Sequence, residues 1–562
     1  MLFQPITKSI HYHYDFNGNR TTTVLPDGRQ INYLYYGSSH LHQINLDGEV
    51  ISDIERDKLH REIQRTQGAL TSRYELDPLG RLKKQIAALD GLSESGKGKN
   101  KVAAGYSQTA VKRSYGYDKT GNLLHSSDQR TGTTHFEYDK LGRITQAGNE
   151  RFAFDPAHNI LSTNGQTVSD GLNAVTDNRI KHYNGISYYY DDLGNLIHRE
   201  LPDGEVQNYF YDLHDQLVKV EIFKKDGSKE TWAYRYDALG RRIGKGRLKE
   251  NRGAETLSDG LKDHACLKAE NSKDIIDSEI TFLWDGSHLL QETHSDGLYT
   301  YIYTDQDSYE PLAQIRDWTH EEETKQSIHY FHCDQIGIPR EMTDKDGNLL
   351  WFGDYYGWGK LKSETNVTET AHQPFRLQNQ YCDQETGLHY NFFRYYEPDA
   401  GRFVNQDPIG LMGGSNFYLF ALNTQGWVDP WGLDCSSDAQ ELRKNMNAKN
   451  VPEPNYKNSA HHIVMSNSMD TRMVALREKM QTMGIKINDA ANGVFLPTSS
   501  AVKDKCNQDN PGACSAHAHS KVHTNTYKQN VYDRLKDIND PVLFKKELRA
   551  IGRELQSGTF SI

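Results

Sequence analysis

The sequence predicts a mostly β chain, in which a long array of β-hairpins is followed by a small α+β domain. Three observations predict it. Tyr-Asp followed by a turn and Gly recurs along most of the chain. The composition sets 33 Tyr and 45 Gly against only 16 Pro, a mix that favours strands and tight turns. After residue 433 the repeat stops and the net charge changes sign, from −15 over residues 1–433 to +4 over residues 434–562.

The chain has 562 residues, of which 36% are hydrophobic, and a mean hydropathy of −0.79. No run of about 18 apolar residues occurs, which argues against a membrane-spanning helix. The start, MLFQPITKSI, has neither the apolar core nor the cleavage site of a secretory signal, so export would need other machinery. Six Cys are scattered without a C-x-x-C pair, which argues against a disulfide scaffold or a four-Cys zinc ribbon.

The repeats read YDFNGNR from Tyr14, YDKTGNL from Tyr117, YDKLGRI from Tyr138, YDDLGNL from Tyr190 and YDALGRR from Tyr236, with degenerate copies at Tyr74, Phe154 and Tyr211. In each, alternating aromatic and polar residues lead into a turn that Asp caps and in which Gly or Asn accepts a positive φ. Such a hairpin cannot bury its aromatic face alone, so neighbours stack. The Tyr and Asp build a wall and do no chemistry. Residues 85–112 and 246–275 break the pattern and read as surface loops.

Residues 329–351 (HYFHCDQIGIPREMTDKDGNLLW), 372–403 (HQPFRLQNQYCDQETGLHYNFFRYYEPDAGRF) and 404–433 (VNQDPIGLMGGSNFYLFALNTQGWVDPWGL) resemble the core-end signature of the Rhs family of YD-repeat proteins. The resemblance implies a β-strand shell that encloses a C-terminal polymorphic toxin and releases it by self-cleavage. It divides the chain into a YD-repeat shell over 1–326, a core-end and autoproteolytic segment over 327–433 and a toxin domain over 434–562. Full Rhs effectors carry a longer repeat region and often a trafficking domain such as a PAAR tip. Neither is seen before Tyr14, which predicts a partial Rhs protein.

Two D-P-x-G-L motifs, from Asp407 and from Asp429, stand 22 residues apart just before the charge boundary. Two carboxylates brought together do not both ionise cheaply, so one keeps a proton and the other activates water. D-P-x-G is also an ordinary turn motif, with Asp accepting backbone N–H bonds. The Rhs resemblance favours chemistry: it implies that Asp407 and Asp429 are catalytic and cut between Leu433 and Asp434. Arg402, in G-R-F-x-x-x-D, is either an electrostatic partner of the pair or a structural residue.

Five of the 24 His lie in residues 434–562. His461 and His462 are adjacent, and on an extended segment they point to opposite sides and can take separate tasks. His519, His523, Tyr527, Val531 and Leu535 recur every four residues, which predicts one helix face. Two His at that spacing can grip a divalent ion, with His461 as third ligand and an open coordination position. A neutral His462 is then placed to take a proton from water, and Asn492 to orient it. His517 is expected in solvent, and nearby Lys503, Lys505, Lys521, Lys528 and Lys536 offer phosphate contacts.

The ordered set A-H-H, N-G-x-x-L-P and H-x-x-x-H-x-x-x-Y resembles the AHH nuclease family of the HNH/endonuclease VII superfamily, a frequent Rhs warhead. The resemblance implies a ββα-metal fold, His461, His519 and His523 on one divalent ion (Mg, Mn, Ni or Zn), His462 as general base and DNA as substrate. It further implies a secreted effector made in the cytoplasm and delivered into target cells, with a secretion-system spike component, type VI by expectation, and a cognate immunity protein as partners. Two alternatives stand beside it. One is an RNase using the same histidines; the other is a carbohydrate-binding YD-repeat protein with an inert tail.

Overall fold

The computed structural model describes residues 8–562 apart from 38, 90–108, 162–174, 250–275, 307, 322, 411–413, 415 and 434–441, and apart from 444, 448, 450, 455–457, 466–469, 498–502, 504–506, 508–513, 519–521 and 523. The chain divides into two compact units, residues 1–433 and 434–562.

Two long antiparallel meanders make the wall of the first unit. One has thirteen strands, from His11–Tyr14 to Glu150–Arg151. The other has fifteen, from His182–Tyr183 to Leu361–Asn366, and in both each strand pairs with its neighbours in sequence. The repeat motif explains the pattern locally. Asp139 Oδ1 accepts the N–H groups of Leu141 and Arg143 at 2.9 and 3.0 Å, and Asp237 does the same for Leu239 and Arg241. Gly142 and Gly240 follow at φ +79°, where a side chain would be strained.

Four repeat tyrosines then tie their hairpins to the ones before. The hydroxyls of Tyr117, Tyr138, Tyr211 and Tyr236 donate to the carbonyls of Leu82, Leu123, Leu196 and Leu217 at 2.8–3.0 Å. Each of those leucines opens the strand after a preceding turn. The pairing register slips at the motif Tyr, between Glu137 and Tyr138 and between Arg235 and Tyr236. A bulge there adds right-handed twist, which coils the sheet.

The wall runs further than the sequence predicts. Strand Glu323–Cys333 crosses the expected 326/327 division and the sheet continues to Asn366, because Asp334 and Asp344 each accept the N–H four residues on and so add turns of the repeat kind. The expected surface loops are also shorter. Residues 85–89, 109–112 and 246–248 belong to strands, and 90–108 and 250–275 lie outside the described residues.

Beyond the wall, the strands Tyr381–Cys382, His389–Asn391, Arg394–Glu397 and Arg402–Phe403 form a small sheet. Its aromatic residues share one core with the wall, among them Tyr390, Tyr395, Trp284, Tyr234 and Trp351. Buried ion pairs cross the same junction: Asp383 meets Arg242 at 2.5 Å and Lys245 at 2.9 Å, and Glu397 meets Arg199. Removing one partner of such a pair typically costs about 3–5 kcal/mol, so the core-end segment is fixed against the wall.

The second unit holds a two-stranded antiparallel sheet, β1 (Asn458–His462) and β2 (Gly493–Pro497), and among its described elements are the helices α1 (Thr471–Thr482), α2 (Asn525–Leu535) and α3 (Pro541–Ser557). Met473, Leu476 and Met480 of α1 face a core completed by Tyr527, Val531, Leu535, Leu548, Ile551 and Leu555. Asp470, Thr524 and Asp540 cap the three helix starts. In α3 the exposed Val542 and Leu543 leave the core place to Phe544. Among the described residues no helix is long and apolar enough to cross a membrane.

Candidate functional site

Asp407 and Asp429 are both buried and converge on one nitrogen. Arg394, on strand Arg394–Glu397, places Nη2 3.2 Å from Asp407 Oδ2 and 3.6 Å from Asp429 Oδ2. The same guanidinium donates through Nη1 to Phe417 O at 3.0 Å and through Nε to Gly432 O, and lies 3.6 Å over the Phe403 ring. Burial pushes the Asp407 carboxyl up from the usual range, against the pull of Arg394.

Residues 429–433 form a turn that is pinned to the small sheet. Asn391 Nδ2 donates to Asp429 O at 2.9 Å, Asn379 Nδ2 to Pro430 O and the Phe393 amide to Trp431 O at 3.2 Å. The Leu433 amide donates to Asp429 Oδ1 at 3.1 Å. Gly432 sits at φ +64°, where a Cβ would come 2.6 Å from Asn391 O, so only glycine passes there. Two buried carboxyls, a shared cation and a clamped peptide can perform acid–base chemistry on the backbone beside Leu433. Asp434 lies outside the described residues.

Arg402 takes the structural option. Its guanidinium donates to Asn159 Oδ1 at 3.1 Å and to Asn178 O, and lies over Tyr418. The cation of the aspartate pair is Arg394 instead, brought in by the pairing of Arg394–Glu397 with Arg402–Phe403.

In the second unit β1 presents its two His to different partners, as alternation along a strand requires. Tyr527 donates its one hydroxyl proton to Ile463 O at 2.9 Å, so at 2.9 Å from His461 Nε2 its oxygen accepts. This hydrogen-bond network assigns the His461 proton to Nε2 and the lone pair to Nδ1. His462 Nε2 lies 2.7 Å from Asn488 Oδ1, which assigns the same tautomer. Both imidazoles are buried and oriented, each with Nδ1 as its basic nitrogen.

Asn492 does not orient His462. Its Oδ1 accepts the Val464 amide at 2.8 Å and its Nδ2 donates to Val464 O and Ile487 O at 3.0 and 2.9 Å, so the carboxamide is spent on the backbone. The role expected of Asn492 is filled by Asn488, four residues earlier. His517 is not in solvent either: Nε2 bonds Phe560 O at 2.8 Å and burial lowers its pKa. Lys536 pairs with Asp533 at 2.7 Å.

His519 and His523 lie outside the described residues. The helix expected to carry them begins later, at Asn525, because the Thr524 side chain caps it by accepting the Tyr527 amide. Tyr527, Val531 and Leu535 are its buried face. Among the described residues of the second unit, His461 and His462 both present a ring held by Nε2–H and basic at Nδ1, the form in which imidazole ligates.

Residues 328–365 match the family model described as RHS protein, 99–247 that of the Teneurin YD-shell, and 442–555 that of a nuclease family of the HNH/ENDO VII superfamily with conserved AHH. Among curated proteins the chain is 38% identical over 444 residues to double-stranded DNA deaminase toxin A of Burkholderia cenocepacia, covering 76% of this chain and 29% of that one. It is 29% identical over 490 residues to toxin protein Tse5 of Pseudomonas aeruginosa, covering 76% and 34%. To probable deoxyribonuclease RhsA of Dickeya dadantii it is 28% identical over 420 residues, covering 71% and 25%. The chain thus spans about a quarter to a third of the length of these relatives. Among solved structures, TcdB2-TccC3-TEV superposes with a TM-score of 0.50 at 17% identity, covering 76% of this chain and 21% of that one, a likeness of fold. The tyrosine-tied hairpins, the core-end segment and the A-H-H strand agree with these matches: the chain belongs to the Rhs family of YD-repeat proteins, and its residues 442–555 match the AHH nuclease family.

Proposed function

We propose that the chain is an antibacterial toxin whose residues 434–562 are a metal-dependent endonuclease, released from the YD shell by self-cleavage after Leu433 and directed at the DNA of a target cell. The observation that carries the reading is the pair His461 and His462, set on opposite sides of one strand with Nε2–H anchored on Tyr527 and Asn488. A base and a ligand are thereby held side by side and kept apart.

His461, with His519 and His523, would hold the divalent ion (Mg, Mn, Ni or Zn). When bound, the ion supplies a Lewis acid for the charge that develops on the scissile phosphate. His462 Nδ1 takes the proton of the attacking water, a task for which an imidazole near pH 7 is suited. Asn488 keeps the proton on Nε2 so that Nδ1 stays basic.

In the release step Asp429 takes a proton from water as the oxygen adds to the Leu433 carbonyl. Asp407, the carboxyl that burial lifts, gives its proton to the departing Asp434 amine, and the C–N bond breaks. Arg394 offsets the charge the two share. DNA is the favoured substrate because the matched relatives include two named probable deoxyribonucleases. An immunity protein in the producing cell and a secretion-system spike component, of the type VI kind, are the partners this reading requires.

Incubating residues 434–562 with supercoiled plasmid and with total RNA, with Mg2+, Mn2+, Ni2+ or Zn2+ and then with EDTA, tests the reading. Metal-dependent nicking of plasmid with intact RNA is expected. Degradation of RNA alone would make it an RNase, and no cleavage of either would overturn it.

A further inference from the structure

Buried carboxylates of the wall and of the core-end segment are generally met by a permanent cation. Glu341 faces Arg113 at 2.6 Å and Arg130 at 3.1 Å, and Asp383 faces Arg242 and Lys245. Glu292 is as buried, yet among the described residues its ion-pair partners are two histidines: His294 Nε2 at 2.9 Å from Oε2 and His372 Nε2 at 2.6 Å from Oε1.

We propose that Glu292, His294 and His372 form a binding site for one divalent transition-metal ion of the Zn2+ class, which ties the wall to the core-end segment. One carboxylate and two imidazole nitrogens are the donor set such an ion takes, and the three ligand atoms lie within 4.8 Å of one another. An ion between these atoms would take ligand distances of about 2.0–2.2 Å. Glu292 and His294 stand two apart on strand His288–His294 and so share a face. His372 comes from the segment after the sheet, its carbonyl held by Gln314 Nε2 at 2.8 Å.

The surroundings have the character of a metal site's outer shell. Tyr381 OH donates to Glu292 Oε2 at 2.8 Å and Tyr301 OH to Oε1. Burial and the neighbouring Glu292 raise both phenols well above their ordinary pKa, so they remain donors that orient the carboxylate. The Tyr299 ring stands against both imidazoles, at 5.1 and 4.9 Å, and fixes their planes. The imidazoles are partly exposed while the carboxylate is not, which gives an ion an entry side.

The test uses the full chain carrying His461→Ala and His523→Ala, so that the nuclease ligands do not contribute and a failure of the nuclease reading does not touch the result. After EDTA treatment the protein is titrated with Zn2+ and, for its visible d–d absorption, with Co2+. One equivalent is expected to bind, with a rise in Tm. Adding His294→Ala or Glu292→Gln should weaken Zn2+ binding by at least about 100-fold and abolish the rise. Glu292→Gln keeps the side-chain volume, and its circular dichroism and metal-free melting curve report folding. No bound equivalent in the background protein, or one that survives both substitutions, overturns the proposal.

Discussion

Arg394 Nη2 lies 3.2 Å from Asp407 Oδ2 while the same guanidinium reaches Asp429 and the Gly432 carbonyl. One side chain thus fixes both carboxyls of the proposed protease and the peptide leading to its cut. Arg394→Gln should abolish processing, leaving one band on a denaturing gel, and should cost about 3–5 kcal/mol of shell stability through uncompensated buried charge. Arg394→Lys keeps the charge but loses the fork, and should process slowly. Full processing in Arg394→Gln would remove the residue from the site.

The pH dependence of processing follows from Asp407. Its carboxyl is raised by burial and lowered by Arg394. A step that needs it protonated is fastest below its pKa and declines as pH rises through it. Lysine's shorter side chain sets its ammonium further from Asp407 and weakens that lowering, so residual processing in Arg394→Lys should decline at higher pH than in the parent. Cell-free synthesis quenched at a series of pH values reads the profile, and an identical profile contradicts the acid role of Asp407.

Tyr527→Phe removes both the acceptor of His461 Nε2–H and the donor to Ile463 O. Metal affinity of residues 434–562 should fall by about 10–100-fold, the usual effect of an outer-shell change. Stability should fall by about 1–3 kcal/mol, since Ile463 O is left unsatisfied. Calorimetric titration and denaturant melts separate the two.

Asn488 and Asn492 should behave oppositely. Asn492→Ala strips three hydrogen bonds from the Val464 and Ile487 backbone and should destabilise by at least about 2 kcal/mol. Asn488→Ala leaves the buried His462 Nε2–H without its acceptor and should cost about 1 kcal/mol, less than Asn492→Ala, while it slows cleavage because His462 loses its tautomer lock. Equal effects on stability and rate would contradict the division.

The wall was legible in the sequence because its chemistry is local. An Asp that caps the N–H groups two and four residues on, a Gly at positive φ and a Tyr before them are all written within one motif. The start of the helix that carries Tyr527 was misplaced: the four-residue spacing of His519, His523 and Tyr527 pointed to an earlier start, whereas the Thr524 side chain caps it at Asn525. Arg394 was not legible. It stands 13 residues from Asp407 and 35 from Asp429, and reaches them through the pairing of two short strands; Arg402, nearer in sequence, goes to Asn159 instead. Asn488 and Asn492 are the same residue type four apart, and only the backbone path through Ala490–Asn492 decides which meets His462.

The second unit's central claim is that His462 acts as base while His461 ligates the ion. Plasmid nicking by His462→Ala beside a calorimetric metal titration tests it most directly. The account predicts metal binding retained and the rate lowered by about 10²–10⁴-fold, the contribution of a positioned proton acceptor. Nicking at the parent rate, or metal binding lost in His462→Ala and kept in His461→Ala, would contradict it.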